Sequence, residues 1–525
     1  LFRRKKWSAR RLDLPARALH GAAHFAADPD LMNCLRAILS AFRPANRGEW
    51  SLLLTGINLM LLNFIMVQHA AVALRRAEIA VIVFSLAYFS GVSAGYFLSD
   101  RLSRAAIQRA LPVFLVIQMV LLGTLQPLHY LVGRWGRNLG MSGLLDDFAA
   151  GFVLFALLAA FVTSIYAIFL PLVVGESGGD LRRGYSVEVA GSLLGLLAVP
   201  FLAGIGHEAV LGAYFATFVA LAATVGLNRW AVSAMAAVAG GFLLAYGRID
   251  RAGAAWSYAN IYDWKVTEVA LTKFTPYHKI EVVKADGDYR LLLNGLRQFG
   301  GDPRRTYSYF VAEYPARMQV SPKVALLGCG SMATVGRIGD FVPSISIVDL
   351  DAEVFQAAKT YFQPINRLDQ LRNWTFTADD AKHWIANSED RFDLILHDIP
   401  PAKARQVALT YTDEFFRLVK ARLTPGGVFS ISSLTPVSGG SRYGKRMLAT
   451  LKSVFDHYYA LEHRGSVYFY GGNKDLAEPD RATLLNLVDP AWRKNVTVLT
   501  RADIDALVAG EPIITISNVG DLIYE

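Results

Sequence analysis

The chain has 525 residues, too many for one ordinary domain, and it is 53% hydrophobic and only 18% charged, unlike an average soluble protein. Its two cysteines, Cys34 and Cys329, lie far apart and can form neither a disulfide framework nor a zinc site. The net charge of +9 is lopsided: residues 1–48 hold ten Lys or Arg and three Asp, so they carry +7 and everything after them +2. A basic stretch beside a hydrophobic region reads as a membrane-surface anchor. Nothing resembling an RNA- or DNA-binding module accompanies it, so nucleic acid is not an expected partner. The chain opens on Leu1, which points to a natural start further upstream. The stretch after Arg3-Arg4-Lys5-Lys6 lacks the long apolar core of a signal peptide.

Between Trp50 and Gly247 the apolar residues crowd together. Spanning a bilayer takes about twenty mostly apolar residues, and seven stretches qualify: roughly 50–70, 77–98, 110–132, 148–174, 185–205, 209–227 and 230–247. The last two meet at Asn228-Arg229, as a helical hairpin or one long broken element. A buried bundle in a soluble protein is the alternative, and seven such stretches in a row argue against it. The positive-inside rule puts the basic segment in the cytoplasm, together with Arg101, Arg104, Arg109, Arg182, Arg183 and Arg229. Seven spans would leave the C-terminus outside. Either the count is off by one, or the basic segment lies outside, or the C-terminal domain does not use a cytoplasmic ligand; the first is the preferred expectation. Gly91 and Gly95, like Gly191 and Gly195, have the spacing that lets helices pack closely. Glu188 is an acid inside an apolar stretch, so either it pairs with Arg182 or Arg183 or it serves transport or substrate.

After Arg251 the chain reads like an ordinary globular enzyme. Residues 256–300 alternate as strands do, and the Asp286-Gly287 pair between Lys279–Lys284 and Tyr289–Leu293 signals a hairpin. From Lys323 strands alternate with helices, the mark of a doubly wound parallel sheet. Expected strands are Val324–Leu327, Ser344–Val348, Trp374–Thr377, Phe392–Leu396 and Val428–Ser432, the last following a turn at Thr424-Pro425-Gly426-Gly427. Helices are expected over Ala352–Tyr361, through Trp384, and over Asp413–Arg422. In such sheets ligands bind beyond the carboxyl ends of the strands. There the sequence places Gly328-Cys329-Gly330, then Asp349, Asp380 and Asp398. Glycines let a backbone approach a ligand, and an acid about twenty residues on can accept from ribose hydroxyls. A plain dinucleotide fold is the alternative, but the third glycine of that fingerprint is missing.

The order of these motifs resembles the spermidine synthases, the polyamine aminopropyltransferases, and in particular their membrane-fused relatives. The likeness covers about residues 270–475. It rests on Tyr277-His278-Lys279-Ile280, Leu293-Asn294-Gly295-Leu296-Arg297-Gln298, the glycine loop, Val348-Asp349-Leu350-Asp351, Asp380-Ala381, Asp393–Asp398 and Tyr411-Thr412-Asp413-Glu414-Phe415-Phe416. The resemblance implies decarboxylated S-adenosylmethionine (or S-adenosylmethionine) as co-substrate, a small amine as acceptor, and no metal. It implies Gly328, Gly330, Asp349, Asp380, Ala381, Gln298 and His278 on the cofactor, Tyr307 and Tyr411 on the substrate, and Asp398 as proton acceptor. The chain also departs from the family. Ser331 and Pro401 replace two acids that hold cationic groups, His278 replaces a Gln, and an acid-rich run is degraded to Asp302-Pro303 and Tyr307-Ser308-Tyr309. Losing two charge partners should weaken diamine binding, at about 1.5–3 kcal/mol per charge-assisted contact.

The reading is therefore a multi-pass α-helical membrane bundle fused to an α/β doubly wound, Rossmann-like domain of the S-adenosylmethionine-methyltransferase type, preceded by a small β subdomain. The segments are 1–48 basic, 49–247 transmembrane, 252–318 β subdomain, 319–475 cofactor-binding domain and 476–525 C-terminal extension. Three functions stay open: a membrane-bound aminopropyltransferase-like enzyme with an altered amine, a silent subunit or scaffold of a membrane assembly, and a methyltransferase. The expected location is the cell membrane, with the C-terminal domain in the cytoplasm. His397 and Cys329 read as packing residues rather than nucleophiles.

Overall fold

The computed structural model describes residues 44–74, 77–138, 146–177, 180–300, 306–328, 330–400, 405–433, 437, 442–473 and 480–520. Cys34, Cys329, Asp302, Pro303 and Pro401 lie outside the described residues. The N-terminal half is a bundle of α1 (Arg47–Leu74), α2 (Ala77–Ser99), α3 (Arg104–Asn138), α4 (Asp146–Ala167), α5 (Phe169–Ser177), α6 (Leu181–Ile205), α7 (His207–Val225) and α8 (Arg229–Ile261). Among the described residues seven segments are long and apolar enough to cross a membrane, α4 and α5 together supplying one. The glycine pairs do pack helices. A Cβ on Gly191 would stand 2.1 Å from Leu53 O on α1, and one on Gly95 2.2 Å from Ser164 O on α4. Larger residues there would push the backbones apart. Gly226 closes α7 at φ +96° and the Asn228 side chain accepts from Ala231 N to start α8, so this pair is a hairpin.

Two expectations change here, and one count stands. The last helix runs to Ile261, so residues 256–261 are helix rather than strand. In its polar extension Asp250 is held by Lys279 and Thr272 of the next domain. Arg183 ion-pairs with Glu49 at 2.6 Å rather than with Glu188, and the buried Glu188 Oε2 finds no hydrogen-bond partner among the described residues. Among the described residues seven remains the number of apolar segments. Glu49, at the start of α1, pairs with the start of α6, whereas His69 and Val72, at its far end, lie against Phe274 and Gly295. The start of α1 and the C-terminal domain thus sit at opposite ends of the bundle.

A four-stranded antiparallel sheet follows, β1 (Val266–Phe274), β2 (Lys279–Ala285), β3 (Asp288–Leu293) and β4 (Leu296–Gly300), in that order. Asp286 (φ +53°) and Gly287 (φ +92°) make the expected hairpin turn, and Asn294 (φ +47°) with Gly295 (φ +70°) makes a second. Two consecutive positive φ values suit the right-handed twist of paired strands, and Asp-Gly and Asn-Gly adopt them readily.

The main sheet contains β5 (Lys323–Leu327), β6 (Ser344–Asp349), β7 (Trp374–Ala378), β8 (Phe392–His397), β9 (Leu423–Ser432), β10 (His457–His463), β11 (Ser466–Gly472) and β12 (Val496–Leu499). Their order is β12-β10-β11-β9-β8-β5-β6-β7. The strands β7-β6-β5-β8-β9 are parallel and the remainder antiparallel. The order reverses between β5 and β8, so a crevice opens beyond their carboxyl ends. The doubly wound, Rossmann-like expectation holds. The predicted turn at Thr424–Gly427 survives as a bulge inside β9, where pairing jumps from Leu423 opposite Phe392 to Val428 opposite Leu394. Within the C-terminal extension, residues 480–520 join the main sheet: β12 is the edge strand, and Ile514 bonds to Thr450 and Asp413.

Candidate functional site

Gly328 ends β5 at φ +82°, and its amide donates to Val348 O at 2.7 Å. A Cβ there would lie 2.5 Å from Asp398 O, so only glycine admits the end of β8. Gly330 (φ +45°) has no atom within 4 Å of where a Cβ would stand, so the loop presents open backbone. Ser331 is buried, and its Oγ accepts from Ala333 N at 3.4 Å.

Asp398 is half-buried at the end of β8, its amide bonded to Leu327 O at 2.8 Å. Its Oδ2 accepts from Thr334 Oγ1 at 2.7 Å, and the Tyr307 hydroxyl also bonds its carboxylate. Burial, and then the charge of Asp398, push the Tyr307 phenol well above its usual range, so it stays a donor. Tyr307 lies just before a π-helical turn, Tyr309–Glu313, a geometry often found at functional sites. The Tyr411 hydroxyl, expected on substrate, points at the carbonyls of Ile399 (3.1 Å) and Pro400 (2.9 Å) and braces the loop after Asp398. His397 packs edge-on to Tyr411 at 4.8 Å. Burial pushes its pKa down to about 3, so the ring is a neutral packing group beside the site.

At the end of β6, Asp349 is half-buried and its Oδ1 accepts from Asp351 N at 2.9 Å. Asp351 caps α9 (Ala352–Tyr361) by accepting from Glu353 N at 3.0 Å. Its Oδ2 takes Thr275 Oγ1 at 2.7 Å and lies 3.2 Å from His278 Nε2. Burial works against its ionisation, but bonds from His278 and Thr275 outweigh this and hold the carboxyl below its usual value. His278, expected on cofactor, is thus engaged with Asp351. At the end of β7, Asp380 is exposed and caps the helix Ala381–Asn387, its Oδ1 accepting from Lys382 N and His383 N, both at 2.9 Å. Gln298 stands half-buried on β4. Gly328, Gly330, Asp349, Asp380 and Asp398 therefore all lie at or just after the carboxyl ends of four adjacent strands, β8-β5-β6-β7. Among the described residues no group of three His, Cys, Asp or Glu is placed to hold a metal.

Sequence reasoning missed Thr334 and Thr275. The first has a signal, a hydroxyl in the turn after the glycine loop. The second acts across 76 residues on Asp351 and has none.

Residues 305–461 match the spermine/spermidine synthase domain. The polyamine aminopropyltransferase of Leptospira interrogans is 30% identical over 193 residues, 35% of this chain and 39% of that protein. That of Mycobacterium tuberculosis is 26% identical over 302 residues, 53% of this chain and 56% of that protein. The match thus spans less than two thirds of either curated relative. The crystal structure of a probable spermidine synthase from Corynebacterium glutamicum superposes with 18% identity and a TM-score of 0.39, over 47% of this chain and 97% of that one. An α/β domain with acids at successive strand ends defines the broad class, a Rossmann-like domain. Through this domain, and at low identity, the chain is similar to the spermidine synthase family.

Proposed function

We propose that the chain is a membrane-bound aminopropyltransferase-like enzyme, moving an aminopropyl group from decarboxylated S-adenosylmethionine to an amine. The observation that carries this reading is Asp398, beside the glycine loop and supported by Thr334 and Tyr307. An ammonium with a pKa of about 10 cannot attack until it loses a proton, and a half-buried carboxylate can take it. The freed lone pair forms the new bond to the methylene next to the sulfonium. The carbon–sulfur bond breaks with its electrons going to sulfur, and methylthioadenosine leaves. Asp349 would accept from ribose hydroxyls, and Asp380 with Ala381 would border the adenine. Gly328 and Gly330 would admit the donor, flanked by Gln298 and His278. Tyr307 would face the amine, and Tyr411 would hold the wall behind it. Fixing amine and sulfonium in line contributes much of the remaining rate.

The acceptor is an amine other than putrescine, because the resemblance implies one acid on the donor's aminopropyl amine and another on the acceptor, where this chain carries the neutral Ser331 and Pro401. That same Ser331, buried and bonded within its own loop, favours a second reading: a silent subunit serving other membrane proteins. Calorimetry with methylthioadenosine, then turnover across mono- and diamines, separates the two. Binding with turnover supports the enzyme, and binding without turnover supports the silent subunit. No binding leaves a scaffold.

The apolar segments support a multi-pass location in the cell membrane, with lipid around the bundle and the α/β domain facing the cytoplasm, where its donor is made. Residue 47 then lies on the other face. Reporters fused after Arg47 and at Glu525 should read opposite sides; the same side for both would sink the seven-span arrangement.

A further inference from the structure

The first hairpin of the β subdomain touches both halves of the molecule. Phe274 and Lys279 are its last cross-strand pair, and because strand side chains alternate, both turn to the face that also carries Thr272 and Glu281. That face meets the bundle. Phe274 stacks on His207 of α7 at 4.1 Å and lies 5.2 Å from His69 of α1. Lys279, only 2% exposed, puts its ammonium 2.7 Å from Asp250 of α8 and 3.1 Å from Glu281. Thr272 donates to the other oxygen of Asp250, and Tyr258 of α8 bonds Glu281. The opposite face meets the α/β domain. Ile280 and Val282 pack on Val354 and Ala357 of α9, and Lys273 pairs with Glu353 at 2.7 Å. The tip between the anchors, Thr275–His278, supplies both side chains that hold Asp351.

A buried ion pair gives less net stability than its short distance suggests, since both ions lose their water. Its main effect is to fix geometry: an ammonium on β2 held 2.7 Å from a carboxylate on α8 tolerates no slip of the hairpin against the bundle. Charge suits that purpose, because the pair sets where residues 275–278 stand relative to α8 and hence where Asp351 stands. Acids outnumber the ammonium, but burial pushes the Glu281 carboxyl up while Asp250 and Glu281 hold the Lys279 ammonium protonated against its own burial.

We infer that Asp250 and Lys279 are positioning residues for the donor site: anchored in the bundle, they fix the hairpin tip that holds Asp351, whose amide in turn holds Asp349. The inference rests on the proposed function for the ligand's identity, though not for the coupling itself. It is tested in the full-length protein with methylthioadenosine as probe and with hydrogen exchange in its absence. Asp250→Asn should weaken binding about tenfold, the equivalent of one weakened charge-assisted hydrogen bond, and should speed exchange at residues 275–279 and 351–354. Glu281→Gln, which keeps the Asp250–Lys279 pair, should leave both unchanged. Normal affinity and exchange in Asp250→Asn overturn the inference, and so does equal loss in Glu281→Gln, the mark of general damage to the joint. Where Asp250→Asn does not fold, Asp250→Asn with Lys279→Gln removes both charges together and is read the same way. If the wild type does not bind the probe, the proposed function fails, and exchange at 351–354 alone decides the coupling.

Discussion

Inside the bundle, Asn58 donates to Tyr214 O at 2.6 Å and Thr217 Oγ1 at 2.7 Å, while the Tyr166 hydroxyl reaches Asn58 and lies 3.0 Å from that of Tyr214. These groups close on one another within the helices. In the α/β domain Asp349, Asp380 and Asp398 stand instead at the carboxyl ends of neighbouring strands, each accepting from a nearby donor. The first pattern satisfies polar atoms so that helices can pack; the second leaves acids where a cationic ligand would meet them. Polar residues alone do not mark a site, and their direction relative to the fold separates the two.

Asp398→Asn should give the largest effect. If the carboxylate takes a proton from the amine, turnover falls on the order of 10²–10⁴-fold, while methylthioadenosine affinity stays near wild type. The amide oxygen can still accept from Thr334 and Tyr307, so the fold survives. Wild-type rates would reduce Asp398 to a wall of the crevice, no different in kind from the bundle's closed networks. Asp349→Ala should act on affinity instead, weakening methylthioadenosine by one or two charge-assisted bonds of about 1.5–3 kcal/mol each. Unchanged calorimetric affinity in a folded variant would remove Asp349 from the ribose.

The contrast also explains what the sequence reveals. Within the α/β domain, Ala352–Tyr361 and Asp413–Arg422 are helices with the expected bounds, because local periodicity and caps specify them. The glycine loop and three acids were legible because strand ends are local features. The bundle–domain joint was not. Lys279 and Glu281 alternate with Ile280 and Val282 like an exposed strand face, and nothing nearby reveals that Asp250 and Tyr258 cover them. β12 escaped for the same reason: four residues make an edge strand only because β10 is there to pair with.

In the bundle, Gly191→Ala should lower the unfolding midpoint in detergent. Its Cβ would meet Leu53 O at 2.1 Å, and overpacking of this kind costs typically about 1–3 kcal/mol. Gly240→Ala, with open space around it, is the control and should change little. Equal behaviour of the two would mean that α1 and α6 are not pressed together.

The smallest effect belongs to Asp351, where the two halves meet. Its folded pKa lies below the model-peptide value of 3.8, because bonds from His278 and Thr275 outweigh burial. A carboxyl whose pKa is depressed by folding binds fewer protons folded than unfolded near that value. Its contribution is therefore full above about pH 4 and fades as pH falls through the folded pKa. Asp351→Asn keeps the size and the acceptor oxygen but cannot ionise, so it lacks that contribution at every pH. Denaturant unfolding of both proteins should show a gap in stability at neutral pH that narrows below pH 4. The gap should stay smaller than that of Gly191→Ala, since one carboxylate with two donors is at stake rather than a helix contact. A gap constant with pH would mean that Asp351 holds the hairpin tip by shape alone.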